Sequence, residues 1–179
     1  LGMDTKISTK KIVSESGDAK VNVAIENGVV STFITVPTTK TGDETEDAKL
    51  DARLNAFVIE TPIASVSSLV DRNEIRVATD AAGLVKSKYK IESGNLNLEG
   101  QQFKVLKTRR KTEFDISGDS EFTRIDVLSG YATIRINRGE DTPYQSTFKQ
   151  GALIKLWRIY TQLQKKLAVA CMITLPDGK

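Results

Sequence analysis

The sequence predicts a β-rich α+β fold, an antiparallel sheet closing toward an open barrel or sandwich, with one amphipathic helix near the C-terminus. Three observations carry this. Runs rich in β-branched and aromatic residues fill the chain from about residue 5 to 140, and glycine-bearing turns separate them at roughly ten-residue spacing. In the last fifth, the apolar period shifts from that of a strand to that of a helix. The 179 residues are read as one domain, long enough to bury about 70% of its unfolded surface.

Between Val21 and Val36, β-branched residues flank Asn27-Gly28. A type I′ turn needs positive φ at both central positions, so a hairpin is expected there. Pro37 ends it, and residues 38–47 form a polar, acidic loop around Gly42. Ala48 to Glu60 fits a short helix or a strand, with the preceding acids suited to a helix N-terminus. After Pro62, Ile63 to Val70 fits a strand or one helical turn. Strands are then expected over 74–79, 84–92, 96–98, 103–116, 122–128 and 131–138.

The helix is expected over about 147–166, with Ser146 or Thr147 as N-cap. Ala152, Leu153, Leu156, Ile159, Tyr160, Leu163 and Leu167 take one face; Lys155, Arg158, Gln162, Lys165 and Lys166 take the other. Ile154 and Trp157 fall toward the polar flank. Gly151 within it costs about 1 kcal/mol relative to alanine. The apolar run over about 167–175, before Pro176, reads as a final buried strand.

The composition argues against catalysis. With no histidine and one cysteine, the chain has no Ser-His or Cys-His pair, no histidine zinc site and no internal disulfide. Phosphate-loop, dinucleotide-binding, nucleophile-elbow and calcium-loop motifs are absent. The acids Asp43, Glu44, Glu46 and Asp47 have the hard oxygens a divalent cation takes, yet also suit a solvated loop. Cys171 sits in an apolar run, the setting of a structural thiol. No run approaches the ~20 apolar residues of a membrane span, and the N-terminal residues lack a signal peptide's apolar core. A non-enzymatic protein without cofactor or metal, cytoplasmic and not membrane-bound, is expected.

What remains is the distribution of charge. The net charge is only +3, but eight cations stand against two anions from Leu84 to Lys111: Lys86, Lys88, Lys90, Lys104, Lys107, Arg109, Arg110 and Lys111. Strand geometry puts Lys86, Lys88 and Lys90 on one face at intervals of about 6.6–7 Å, a spacing able to track phosphates. Tyr89 and Phe103 are the neighbouring candidates for base stacking. Arg135 would extend the surface, and Lys155 and Arg158 would add to it from the helix.

These residues predict binding of single-stranded nucleic acid, DNA or RNA, without sequence readout. The same lysines also suit a strand face that merely keeps a sheet soluble, or an acidic protein surface as partner. The alternative is a structural subunit, such as a virion or tail component, that forms homo-oligomers through sheet edges and the helix.

Overall fold

The structure, a computed structural model, describes residues 6–13, 19–34, 57–67, 71–79, 83–93, 96–108, 111–119, 121–137, 143–161 and 166–176. Fourteen strands account for most of them, and no helix occurs among them. The strands are β1 (Lys6–Val13), β2 (Ala19–Ile34), β3 (Phe57–Glu60), β4 (Ala64–Ser67), β5 (Asp71–Thr79), β6 (Val85–Ile91) and β7 (Asn97–Gly100). They continue with β8 (Phe103–Thr108), β9 (Thr112–Gly118), β10 (Phe122–Ser129), β11 (Tyr131–Ile136), β12 (Tyr144–Lys149), β13 (Leu153–Thr161) and β14 (Lys166–Thr174).

They form one curled sheet in the order β12-β11-β8-β7-β4-β3-β2-β5-β6-β9-β10-β13-β14, with β1 also on β2. β2 divides it into two arms. Its first half pairs antiparallel with β1 and parallel with β3; its second half, from Gly28 on, pairs antiparallel with β5. Arm one holds β3, β4, β7, β8, β11 and β12, and arm two holds β5, β6, β9, β10, β13 and β14. Successive hairpins therefore alternate between the arms.

The alternation along each strand builds the core. In β11, Ala132, Ile134 and Ile136 are buried while Tyr131 and Arg135 are exposed. In β6, Ser87, Tyr89 and Ile91 point inward. Ile59, Val66, Leu98, Phe103 and Val105 of arm one and Ile75, Tyr89, Phe114, Ile116 and Ile125 of arm two belong to one buried cluster. Burying such side chains contributes about 1.5–3 kcal/mol each.

Where the chain passes from one arm to the other, the corners are short. A single residue, Gly130, separates β10 from β11, at φ +70°. Neighbouring corners brace it: Thr112 Oγ1 donates to Tyr131 O at 3.1 Å, Ser129 Oγ to Lys111 O at 2.9 Å and Gln150 N to Gly130 O at 3.1 Å. At the opposite, hairpin end, Gln102 Nε2 donates to Glu121 O at 3.4 Å and Arg158 Nη2 to Gln101 Oε1 at 2.6 Å, tying arm one to arm two.

Five sequence expectations are corrected. The described residues are all-β, and over 147–161 the expected C-terminal helix is the end of β12, a turn at Gln150 and Gly151, and β13, while residues 162–165 lie outside the described residues. From Ala152 to Tyr160 both periods fit the sequence, because Leu156 belongs to either pattern. Tertiary pairing decides: β14 pairs with all nine residues of β13, Gly151 turns at φ +87°, and Ala152, Ile154 and Leu156 enter the core. Ile154 is thus buried, not on a polar flank.

Asn27-Gly28 makes no hairpin, because β2 runs straight through it. Gly28, at φ +113°, marks the point where the strand changes arms, a use of glycine at a sheet corner. The single run expected over 103–116 is two strands, β8 and β9, divided at Lys111, whose φ is +59°. Ile63 to Val70 contributes strand β4. The final strand near 167–175 is present as β14, but as an edge strand whose described residues are half-buried or exposed, not as a buried one. The acidic loop, including Asp43, Glu44, Glu46 and Asp47, lies outside the described residues.

Candidate nucleic-acid interface

The outer face of arm two is ordered in rows that run across its strands. Lys86 of β6 stands opposite Ser117 of β9, Ser117 opposite Arg124 of β10, and Arg124 opposite Lys155 of β13. With adjacent strands about 4.8 Å apart, three cations fall within ~14 Å on one line. On the hairpin-tip side lies an apolar row: Phe122 stands opposite Trp157, their ring centroids 5.7 Å apart and tilted by 44°, with Leu84 exposed nearby. Lys86, Arg124, Lys155, Phe122, Leu84 and Asp126 line a groove of about 550 Å³.

On the other side of the cationic row, the register brings in acids. Lys88 stands opposite Asp115, and Asp115 opposite Asp126. Lys86 Nζ lies 2.7 Å from Asp115 Oδ2, and Lys88 Nζ lies 2.9 Å from Glu113 Oε1. Lys90 pairs with Glu92 at 3.5 Å. The hydrogen bond to Glu113 holds the Lys88 ammonium above the usual lysine range, against some desolvation.

Arg124 grips Asp126 with both arms of its fork, Nε at 2.8 Å and Nη2 at 3.0 Å. That bond raises its pKa and draws the fork off the line of the row. Like charges directly opposite one another destabilise a sheet, so the Arg124 and Lys155 juxtaposition is unfavourable unless an anion lies between them. Asp126 supplies that anion to Arg124 alone. Lys155 carries no ion pair among the described residues.

The expected site residues separate into distinct places. Lys86 and Lys155, from the two basic segments, converge in the groove. Lys88 and Lys90 share its face outside the row and, like Lys86, are matched by carboxylates. Lys104, Lys107 and Arg135 lie on the outer face of arm one, with Lys104 opposite Arg135 and bonded to Glu99 at 3.1 Å. Lys111 sits exposed at the corner before β9. Arg109 and Arg110 lie outside the described residues.

Three expectations fail on geometry. Tyr89 and Phe103 are both 0% exposed, so neither can stack on a base. Tyr89 is packed on Phe114 at 5.2 Å with its hydroxyl 3.2 Å from Thr61 Oγ1, and burial pushes its pKa up to about 12. Arg158, on the opposite face of β13 from Lys155, spends its guanidinium on Gln101. The residues missed by sequence reasoning are Arg124, Phe122 and Trp157. The alternation Phe122, Arg124, Asp126 along one strand was the available signal, but nothing along the chain points it at Lys86 or Lys155.

Among the described residues, no group of three or more cysteine, aspartate or glutamate side chains is placed to hold a metal ion. The arrangement suits recognition of an extended anion: a cationic line for charge, an aromatic edge beside it, and a hydroxyl at Ser117 between. No protein-family model, curated protein or solved structure matches this chain.

Proposed function

We propose that this protein binds single-stranded nucleic acid, without catalysis and without reading sequence, in the groove on the outer face of arm two. The observation that carries the reading is the cross-strand row Lys86, Arg124 and Lys155 bordered by Phe122 and Trp157. Sequence-tolerant single-strand binders combine a basic track for the backbone with ring faces for the bases. Here the track is the cationic row and the platform is the apolar row one step toward the hairpin tips. A phosphate between Arg124 and Lys155 would relieve their mutual repulsion, and a second one between Lys86 and Arg124 would meet the Ser117 hydroxyl.

The test is the salt dependence of binding to a fluorescent oligothymidylate. Three phosphate contacts give a slope of log K against log salt of about −2 for a single strand, a loss of roughly 20-fold between 50 and 200 mM. Lys155→Ala should weaken binding and reduce that slope by about 0.7. Lys88→Ala, whose ammonium lies outside the row and on Glu113, should leave it unchanged. No binding at low salt, or equal slopes for the native chain and Lys155→Ala, ends the proposal.

A further inference from the structure

β14 is the last strand of arm two, and no strand lies on its outer edge among the described residues. Its sequence is Lys-Leu-Ala-Val-Ala-Cys-Met-Ile-Thr. It pairs with β13 without a bulge over its full nine residues. It contains no proline, and its only charged residue is at position 166. Exposed edges of sheets are normally guarded by lysines, prolines, bulges or short length. The other two edges follow that rule in their sequences: β1 carries three lysines and β12 is mostly polar. Beyond Lys166 at its start, β14 has none of these guards, and it presents Met172 at 52% exposure, with Ile159 of β13 exposed on the same face.

We infer that β14 joins a second copy of this chain, edge to edge and antiparallel, about a dyad at Ala170. Three features select this arrangement over others. Position 170 is the midpoint of Lys166–Thr174, so a dyad there pairs all nine residues. It sets Lys166 opposite Thr174 at both ends, whereas a parallel pairing would stack the two lysines. It also sets exposed Met172 beside the small Ala168 of the partner, large against small on both sides of the dyad. The alanine at the dyad suits a position where the two backbones approach to about 4.5 Å.

The pairing is isologous and closes on itself, giving a dimer and not a fibre. The apolar row Phe122, Trp157 and Ala170 would then continue into its copy. The inference itself stands on the edge strand alone, whatever the groove binds.

Sedimentation equilibrium of the full chain should return twice the 19.7 kDa of one copy. Ala170→Lys, which puts two ammonium groups face to face, should halve that mass. In a Cys171→Ser background, Ala170→Cys should form an interchain disulfide under mild oxidation, and Ala168→Cys, displaced from the dyad, should not. A native chain that stays monomeric at its solubility limit overturns the inference. So does a dimer in which Ala170→Cys cross-links no faster than Ala168→Cys, and this comparison holds even if Ala170→Lys fails to fold.

Discussion

Tyr89 lies at the meeting of the two arms, and its ionisation offers a direct test of the core assignment. Its ring stacks on Phe114 of the same arm, and its hydroxyl meets Thr61 at the β3–β4 turn of the other. In Tyr89→Phe, Thr61 keeps its own bonds to Ala64, donating to the carbonyl at 2.8 Å and accepting from the amide at 3.1 Å. The variant therefore loses one buried hydrogen bond, about 1 kcal/mol at neutral pH.

At alkaline pH the sign reverses. Below pH 10 the tyrosine is protonated in both states and contributes no pH dependence. Between pH 10 and about 12 the unfolded chain releases the proton and the folded chain keeps it, so stability falls as pH rises. The loss approaches about 2.7 kcal/mol once the folded pKa is passed, at roughly 1.36 kcal/mol per pH unit. Tyr89→Phe does not share it. Urea unfolding of the two proteins at a series of pH values should show the native chain more stable at pH 8 and the variant more stable above about pH 11. Curves that stay parallel would refute the placement of Tyr89 in the dry core, and would restore it as a candidate base platform.

Two further predictions bear on the groove and on the corners. Asp126→Asn removes the carboxylate that holds the Arg124 fork, so oligonucleotide binding at low salt should tighten about two- to fivefold; weaker binding would mean that Asp126 positions Arg124 for its ligand. Gly130→Ala forces a positive φ on a side-chain-bearing residue, about 1–2 kcal/mol. Its Cβ would also lie 2.6 Å from Thr112 Oγ1 and 2.9 Å from Thr112 Cα. Gly83→Ala at φ +83° meets nothing within 4 Å and carries the backbone cost alone. The melting point of Gly130→Ala should therefore fall well below that of Gly83→Ala, by about 2–4 °C for each further kcal/mol; equal melting points would show that the corner yields freely.

Strand identity was legible where alternation had no rival. Tyr131 to Ile136 and Val85 to Ile91 each place small or apolar residues at every second position and polar ones between, and both form as expected. The segment from Thr147 to Thr161 misled because it met two periods at once, and local spacing cannot say whether a neighbour exists to complete a ladder. β13 forms as a strand because β10 and β14 flank it. Asn27-Gly28 misled for a related reason: positive φ serves a two-residue turn and a kink between arms equally well, and the distinction lies in the partners of β2.

The candidate site was hidden by the same long-range pairing. A charge count along the chain treats Leu84 to Lys111 as one basic surface. In the fold, successive hairpins go to opposite arms, so Lys86, Lys88 and Lys90 emerge on one outer face and Lys104 and Lys107 on the other. The surface that Lys86 shares is completed by β9, β10 and β13, which return to arm two after intervening strands. Those strands bring Glu113 to Lys88 at 2.9 Å and Asp115 to Lys86 at 2.7 Å, and set Arg124 and Lys155 on the same row as Lys86. Two lysines separated by one residue on the same strand thus both meet a carboxylate, and only Lys86 also stands in a row with Arg124 and Lys155. Cross-strand register makes that difference, which is why charge-removing variants at Lys155 and Lys88 separate a binding surface from a solubilising one.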